Sequence, residues 1–252
     1  MSENIDKSVN ISIMESTYRL LLSRKRDMES IDDLLTRILL KEDMENLTRR
    51  VLFIGPPASG KSTLRTVFFE ESNPQDVLMN PLEPTRGIEN FVYNWLDIDV
   101  GIADSSGQEI EKWFGMESLY AFGELDAVIF VFDLSRYESD KDFINADIAE
   151  TIFTKRAHSG EDAKIYIFCH KKDLLEENDR KKTFNRVKGE IREYLMQKEI
   201  LNPADDPNEI MEIFMTSIKG ELILSVIKAM RTILYPFSNT LKRAIIPYSM
   251  RK

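Results

Sequence analysis

Gly55-Pro56-Pro57-Ala58-Ser59-Gly60-Lys61-Ser62 carries the plainest chemistry in the chain. It fits the pattern GxxxxGK[ST], follows the apolar run Val51–Ile54 directly and opens an amphipathic stretch, which is the strand–loop–helix setting a phosphate-binding loop requires. Glycines let the backbone turn so that its N–H groups ring the phosphate oxygens, and the dipole at the helix start adds positive potential. Lys61 offers a compact charge to the outer phosphates, and the hydroxyl of Ser62, followed by Thr63 in the same turn, is a magnesium ligand. From average residue usage, four such specified positions meet by chance in about one chain in a hundred.

Three later segments bear on which polyphosphate is bound. Asp104-Ser-Ser-Gly107-Gln108 ends another apolar run. A carboxylate there can hold magnesium through water, a glycine N–H can sense a γ-phosphate, and the glutamine can orient an attacking water. His170-Lys171-Lys172-Asp173 closes the run Lys164–Cys169. A carboxylate at a strand's carboxyl end can accept from both N1–H and N2–H₂ of guanine, a donor pair adenine lacks, while the Lys171 stem lies along the base. Thr216-Ser217-Ile218-Lys219 follows the last apolar run and could present backbone N–H groups to guanine O6. Alone, each is weak, since a capped turn, a charged strand exit or an ordinary loop reads the same way. Their order along the chain gives them weight.

The elements that must position these loops follow from the pattern. Short apolar runs at Val51–Ile54, Phe91–Leu96, Ile98–Ala103, Ala127–Phe132, Lys164–Cys169 and Met211–Met215 alternate with helical stretches near 61–70, 109–122, 140–157, 178–198 and 221–235. That alternation predicts an α/β fold of the P-loop kind: a mostly parallel six-stranded sheet with helices on both faces. The close pair at 91–103, turning at Asp97, supplies one antiparallel edge strand.

Residues 1–48 form the expected N-terminal helical extension, with Met14, Tyr18, Leu21 and Leu22 on one face. A second helix there starts at the capping box of Ser30 and Asp33 and carries the stripe Ile31, Leu34, Leu35 and Ile38. Packing against the sheet domain is the expected role; the alternative is a partner- or membrane-facing segment, and acids interleaved with bases argue against the membrane. Residues 49–237 form the nucleotide domain and 238–252 a tail, apolar and basic around Leu241.

The 252 residues are 42% apolar and 31% charged with a formal net charge of −9, which excludes wholesale disorder and argues against a nucleic-acid partner gripped through phosphates. One cysteine, Cys169, forbids an internal disulfide. The start MSENIDKSVN lacks a signal peptide's basic and apolar parts, no run approaches the length of a membrane span, and lipidation motifs are absent, so a cytoplasmic protein is expected. His158 and His170 lack metal-ligand spacing, so no zinc site is read.

Taken together these residues resemble the Ras-like small GTPases, in the order of that family's five nucleotide boxes, and within it the Rag GTPases. Gly60-Lys-Ser-Thr-Leu-Arg65-Thr-Val-Phe-Phe69 is similar to the Rag P-loop helix, arginine included. Ala163-Lys-Ile-Tyr-Ile-Phe-Cys-His170-Lys-Lys-Asp173-Leu resembles the Rag guanine box, which carries His where most small GTPases have Asn, and Val131-Phe-Asp-Leu and Thr216-Ser-Ile are similar too. The resemblance covers about 50–236.

It implies a switch that binds GTP or GDP with Mg²⁺ and hydrolyses GTP slowly. Gly55, Pro57, Ala58, Ser59, Gly60, Lys61, Ser62 and Thr63 would cradle the phosphates. Thr85, in Pro84-Thr-Arg-Gly87, would join Ser62 and Asp104 at the metal, with Gly107 sensing the γ-phosphate. Lys61, Thr85 and Gln108 would be the catalytic residues, and His170, Lys171, Asp173, Ser217, Ile218 and Lys219 would surround the base. Expected partners are an activating protein, an exchange factor, and a separate roadblock-domain protein or second GTPase. About sixteen residues follow the last helical pattern, so the roadblock domain through which Rag proteins pair is not expected here. Pro57, where many relatives have glycine, fixes φ and removes an N–H near the γ-phosphate, which would slow hydrolysis or be harmless. Two alternatives stay open: a scaffold subunit that holds nucleotide without switching, and an ATP-using kinase or ATPase.

Overall fold

The computed structural model describes residues 48–80, 82–83, 88–95, 98–105, 114, 122, 125–159, 164–202 and 206–236, all within the unit Thr48–Lys252. The N-terminal helices read from the sequence, the turn at Asp97 and the tail beyond 237 lie outside these residues, as do Thr85, Gly107 and Gln108. Of the expected helix 109–122, Phe114 and Phe122 are described, and both are helical.

Six strands form one sheet: β1 (Thr48–Ile54), β2 (Ile88–Trp95), β3 (Ile98–Ser105), β4 (Ala127–Asp133), β5 (Lys164–His170) and β6 (Met211–Met215), in the order β2-β3-β1-β4-β5-β6. β2 pairs antiparallel to β3, and every other pairing is parallel. The helices are α1 (Lys61–Phe69), α2 (Pro74–Met79), α3 (Tyr137–Ser159), α4 (Glu177–Gln197), α5 (Pro207–Ile210) and α6 (Leu224–Leu234).

The near-continuous apolar runs have a physical reason: both faces of the central strands are covered. On β4, Val128, Phe130 and Phe132 enter one core with Leu52, Ile54, Ile165, Ile167 and Cys169, roofed by α3 and α4. Ala127, Ile129 and Val131 enter the other with Val51, Phe53, Tyr166 and Phe168, roofed by α1 and α6. The roofing helices dock by apolar stripes. On α4 the stripe is Val187, Ile191 and Leu195, none of them exposed, at i, i+4, i+8. Truncating Ile191 to alanine there would cost about 2–5 kcal/mol in lost transfer energy and cavity.

β1 is flanked by β3 on one side and β4 on the other, and the helices that follow β1 and β4 lie on opposite faces. This is the arrangement in which chains diverge at the carboxyl ends of neighbouring strands and leave a crevice for a ligand. The loops after β1, β4, β5 and β6 all open on that edge.

Candidate functional site

The loop after β1 is held tight by its glycines. Gly55 has φ 141°, and a Cβ there would stand 2.1 Å from the Val131 carbonyl oxygen of β4, so only glycine lets the chain leave β1 here. Gly60, at φ 102°, is the N-cap of α1. No side chain caps this helix end, no acid lies in the first turn, and the first intrahelical bond runs from Leu64 N to Gly60 O. The amides ahead of that bond point out along the helix axis, the arrangement that attracts an anion.

Lys61 sits at that end with only 6% of its surface exposed. Its ammonium donates to the Gly55 and Pro56 carbonyls, both at 2.9 Å, and lies 3.5 Å from Ser59 Oγ. The side chain therefore folds back over its own loop and carries its charge to the concave side. A buried cation beside an uncapped helix start without acids is a donor set that fits phosphate. Ser62 stands one residue further into α1, and the β1–β3 register pairs Phe53 with Asp104. Ser62 and Asp104 thus stand on adjoining elements at one sheet edge, and a hydroxyl and a carboxylate are the kind of hard oxygen donor that magnesium takes. β3 runs to Ser105, so Asp104 lies within the strand rather than in the loop after it.

The loops after β5 and β6, read from the sequence as facing a base, open on the same edge. His170 ends β5 and is 2% exposed. Its Nδ1 lies 2.9 Å from Thr216 Oγ1, and its ring rests against Gly60, where a Cβ would come within 2.8 Å of Cδ2. Burial, reinforced by the Lys171 charge, pushes the imidazole pKa down to about 4, so the ring is neutral at physiological pH. Lys171 takes a left-handed turn (φ 58°) and donates to Ala58 O at 2.6 Å and Asp133 Oδ2 at 3.0 Å. Asp173 accepts from Ser217 Oγ at 2.5 Å. The Ser217 hydroxyl accepts in turn from the Lys219 amide at 3.1 Å, while the Ser217 amide donates to Ser225 Oγ at 3.2 Å. Of the amides read from the sequence as facing a base, those of Ser217 and Lys219 are thus engaged within the protein.

Asp133 is a site residue that the sequence reading quoted without a role. It ends β4, and its Oδ1 accepts from Ser135 N at 3.0 Å and Ser135 Oγ at 2.6 Å, capping the short 3₁₀ turn Leu134–Arg136. Burial raises its pKa, but the Ser135 bonds and Lys171 outweigh that and hold the carboxyl below its ordinary range. The signal was present as Asp-x-Ser after an apolar strand, a local cap that many turns share. Thr216, read only as part of a loop, proves to be the partner of His170.

A roomier cavity of about 410 Å³ opens between Ile152, Ile165, Ile200 and Ile210. Ile165 is the second residue of β5 and Ile210 precedes β6, which puts the cavity at the amino ends of the strands, away from the phosphate loop and the loops after β4, β5 and β6. The converging loops, rather than cavity size, mark the chemical edge. Among the described residues, no helix is long and apolar enough to cross a membrane.

The family model described as the Gtr1/RagA G protein conserved region matches residues 50–246. The chain is 27% identical over 209 residues to the Ras-related GTP-binding protein A of Dictyostelium discoideum, covering 82% of this chain and 62% of that one. It is 25% identical over 188 residues to GTP-binding protein GTR1 of Saccharomyces cerevisiae, covering 73% and 59%. It thus spans about three-fifths of the length of these relatives. Among solved structures, that of the mammalian SRP receptor superposes with a TM-score of 0.52 at 17% identity, over 73% of this chain and 100% of that one, a likeness of fold. With the family model spanning Arg50 to Ile246 and the loops arranged as above, the chain belongs to the Gtr1/RagA family of G proteins.

Proposed function

We propose that this chain is a guanine-nucleotide switch that binds GTP and GDP with Mg²⁺ and hydrolyses GTP slowly. The observation that carries the reading is the meeting on one sheet edge of a buried Lys61 at an uncapped helix start with the Asp173–Ser217 pair. The first suits polyphosphate and the second suits the donor edge of guanine.

In this mechanism Lys61 and the amides of Ala58 to Thr63 hold and neutralise the β- and γ-phosphates. Ser62 and Thr85 would hold magnesium through their hydroxyls, and Asp104 would hold it through a water. Bound magnesium supplies charge that offsets the phosphates as negative charge shifts to the leaving oxygen. Gly107 donates its amide to the γ-phosphate, and Gln108 orients the attacking water. Asp173 accepts from N1–H and N2–H₂ of the base, with Ser217 fixing the carboxylate. The Ile218 amide faces O6, and the Lys171 stem covers one side of the ring. His170 fastens the base loop to the phosphate loop.

On this reading residues 49–237 are the switch domain, with 1–48 and 238–252 as appendages, in a cytoplasmic protein. By its resemblance to the Rag GTPases, the proposed partners are an activating protein, an exchange factor, and a separate roadblock-domain protein or second GTPase.

The test is single-turnover hydrolysis of bound, labelled GTP by the purified chain with excess ATP and magnesium. GDP appearing over minutes to hours, undisturbed by ATP, is the expected result. Displacement by ATP would overturn the base assignment. Bound GTP that never turns over would overturn self-timed hydrolysis and leave a scaffold, or a switch that awaits an arginine from a partner.

A further inference from the structure

Arg65 lies one turn beyond Lys61 on α1, with 9% of its side chain exposed. Its guanidinium sits 3.8 Å over the ring of Phe91, donates to Tyr93 Oη at 2.7 Å and pairs with Glu70 just past the end of α1. Tyr93 Oη in turn donates to Glu70 Oε1 at 2.7 Å, and the Phe69 ring stacks on Tyr93 at 5.4 Å. The ring of three polar contacts is closed, and it joins the phosphate-loop helix to β2.

β2 is an edge strand, held on its other side by β3 alone. The β2–β3 register pairs Ile88 with Ser105 and Glu89 with Asp104. The amino end of β2 and the carboxyl end of β3 therefore lie side by side. Phe91 and Tyr93 sit three and five residues along from that end. Aliphatic side chains here would glue the hairpin down equally well, but a planar guanidinium stacked on one ring and bonded to two oxygens accepts only one placement.

We propose that Arg65 is a positioning residue that fixes the β2–β3 hairpin against the phosphate-loop helix, so that the end of β3 that carries Asp104 keeps its place beside the metal site begun by Ser62. The proposal rests on reading residues 55–62 as a nucleotide–magnesium site. It predicts that loosening the contact weakens magnesium's hold on nucleotide specifically.

The experiment compares the full chain with Arg65→Lys and Tyr93→Phe, the second being the gentler change. The release rate of fluorescent GDP is measured across a magnesium titration and in EDTA, with thermal midpoints alongside. Both variants are expected to release GDP about tenfold faster in magnesium, a difference of about 1.4 kcal/mol, and to need more magnesium for half-maximal slowing. Their rates in EDTA should match wild type within about twofold. Lower midpoints with an unchanged magnesium dependence would make the cluster mere packing and overturn the proposal. A wild-type chain that binds no guanine nucleotide would instead overturn the site reading itself.

Discussion

His170 lays its imidazole so close to Gly60 that a Cβ at residue 60 would fall 2.8 Å from ring carbon Cδ2. The residue that opens the phosphate-loop helix and the residue that ends β5 thus need each other's shape. Gly60→Ala should fail on two counts, because φ 102° is strained for any side chain and the ring must also give way. Strain of that kind costs on the order of 1–3 kcal/mol, which corresponds to about 5- to 150-fold in nucleotide affinity if it falls on the bound form. Calorimetric titration with GDP checks this. Affinity restored by adding His170→Ala would show that the ring, not the backbone, sets the cost.

His170 should also leave a mark on the pH dependence of folding. Its pKa is near 4 in the fold against an ordinary 6.5, so between those values the unfolded chain binds a proton that the native chain refuses. Stability is then full above about pH 6.5 and falls as pH drops towards 4, by about 3 kcal/mol at most from this residue. His170→Asn cannot titrate and should flatten that limb. Denaturant unfolding at several pH values from 4.5 to 7 tests it, and an unchanged slope would show that other groups govern this window.

Much of this was legible in the sequence, and the misses share a cause. The strand runs, the phosphate loop and the guanine-type box could be read because each is a local pattern: apolar period, glycine spacing, a carboxylate at a strand exit. Strand ends were misjudged outward at Thr48, Ile88 and Ser105, where polar residues continue a ladder that hydrophobic pattern cannot detect. Asp133, Thr216 and the Arg65–Tyr93–Glu70 ring escaped because their partners lie 38, 46 and 28 residues away in the chain for the Lys171, His170 and Tyr93 contacts. Side-chain partners at such distances follow from strand order, and strand order is not written in any local window.

Asp173 and Ser217 should separate base choice from base affinity. Asp173→Asn replaces an acceptor pair by an acceptor and a donor, so it should weaken GTP and favour xanthosine triphosphate. Ser217→Ala removes the donor 2.5 Å from Asp173 Oδ1 and also the acceptor of the Lys219 amide. The carboxylate stays, so preference should remain with guanine while affinity falls about tenfold to a hundredfold, the worth of one hydrogen bond to a charged group. Competition between the two triphosphates for a fluorescent GDP reads both effects. A base swap in the serine variant would sink this division of roles.

Lys171 links three loops, since its ammonium binds Ala58 of the phosphate loop and Asp133 of β4 while its stem lies in the base loop. Lys171→Met keeps the stem and removes the charge. The Asp133 carboxylate, whose side chain is 11% exposed, would then lose its cation and keep only Ser135 as a named donor, which disfavours the folded state. GDP release should quicken about tenfold, and the thermal midpoint should fall. Asp133→Asn in the same chain takes the uncompensated charge away, so it should return part of the midpoint but none of the slow release, because Ala58 still lacks its donor. A double-mutant cycle over the two positions should give a coupling of about 1 kcal/mol in stability. Additive losses would mean that Lys171 and Asp133 act separately, and that the tie between β4 and the phosphate loop does not pass through their ion pair.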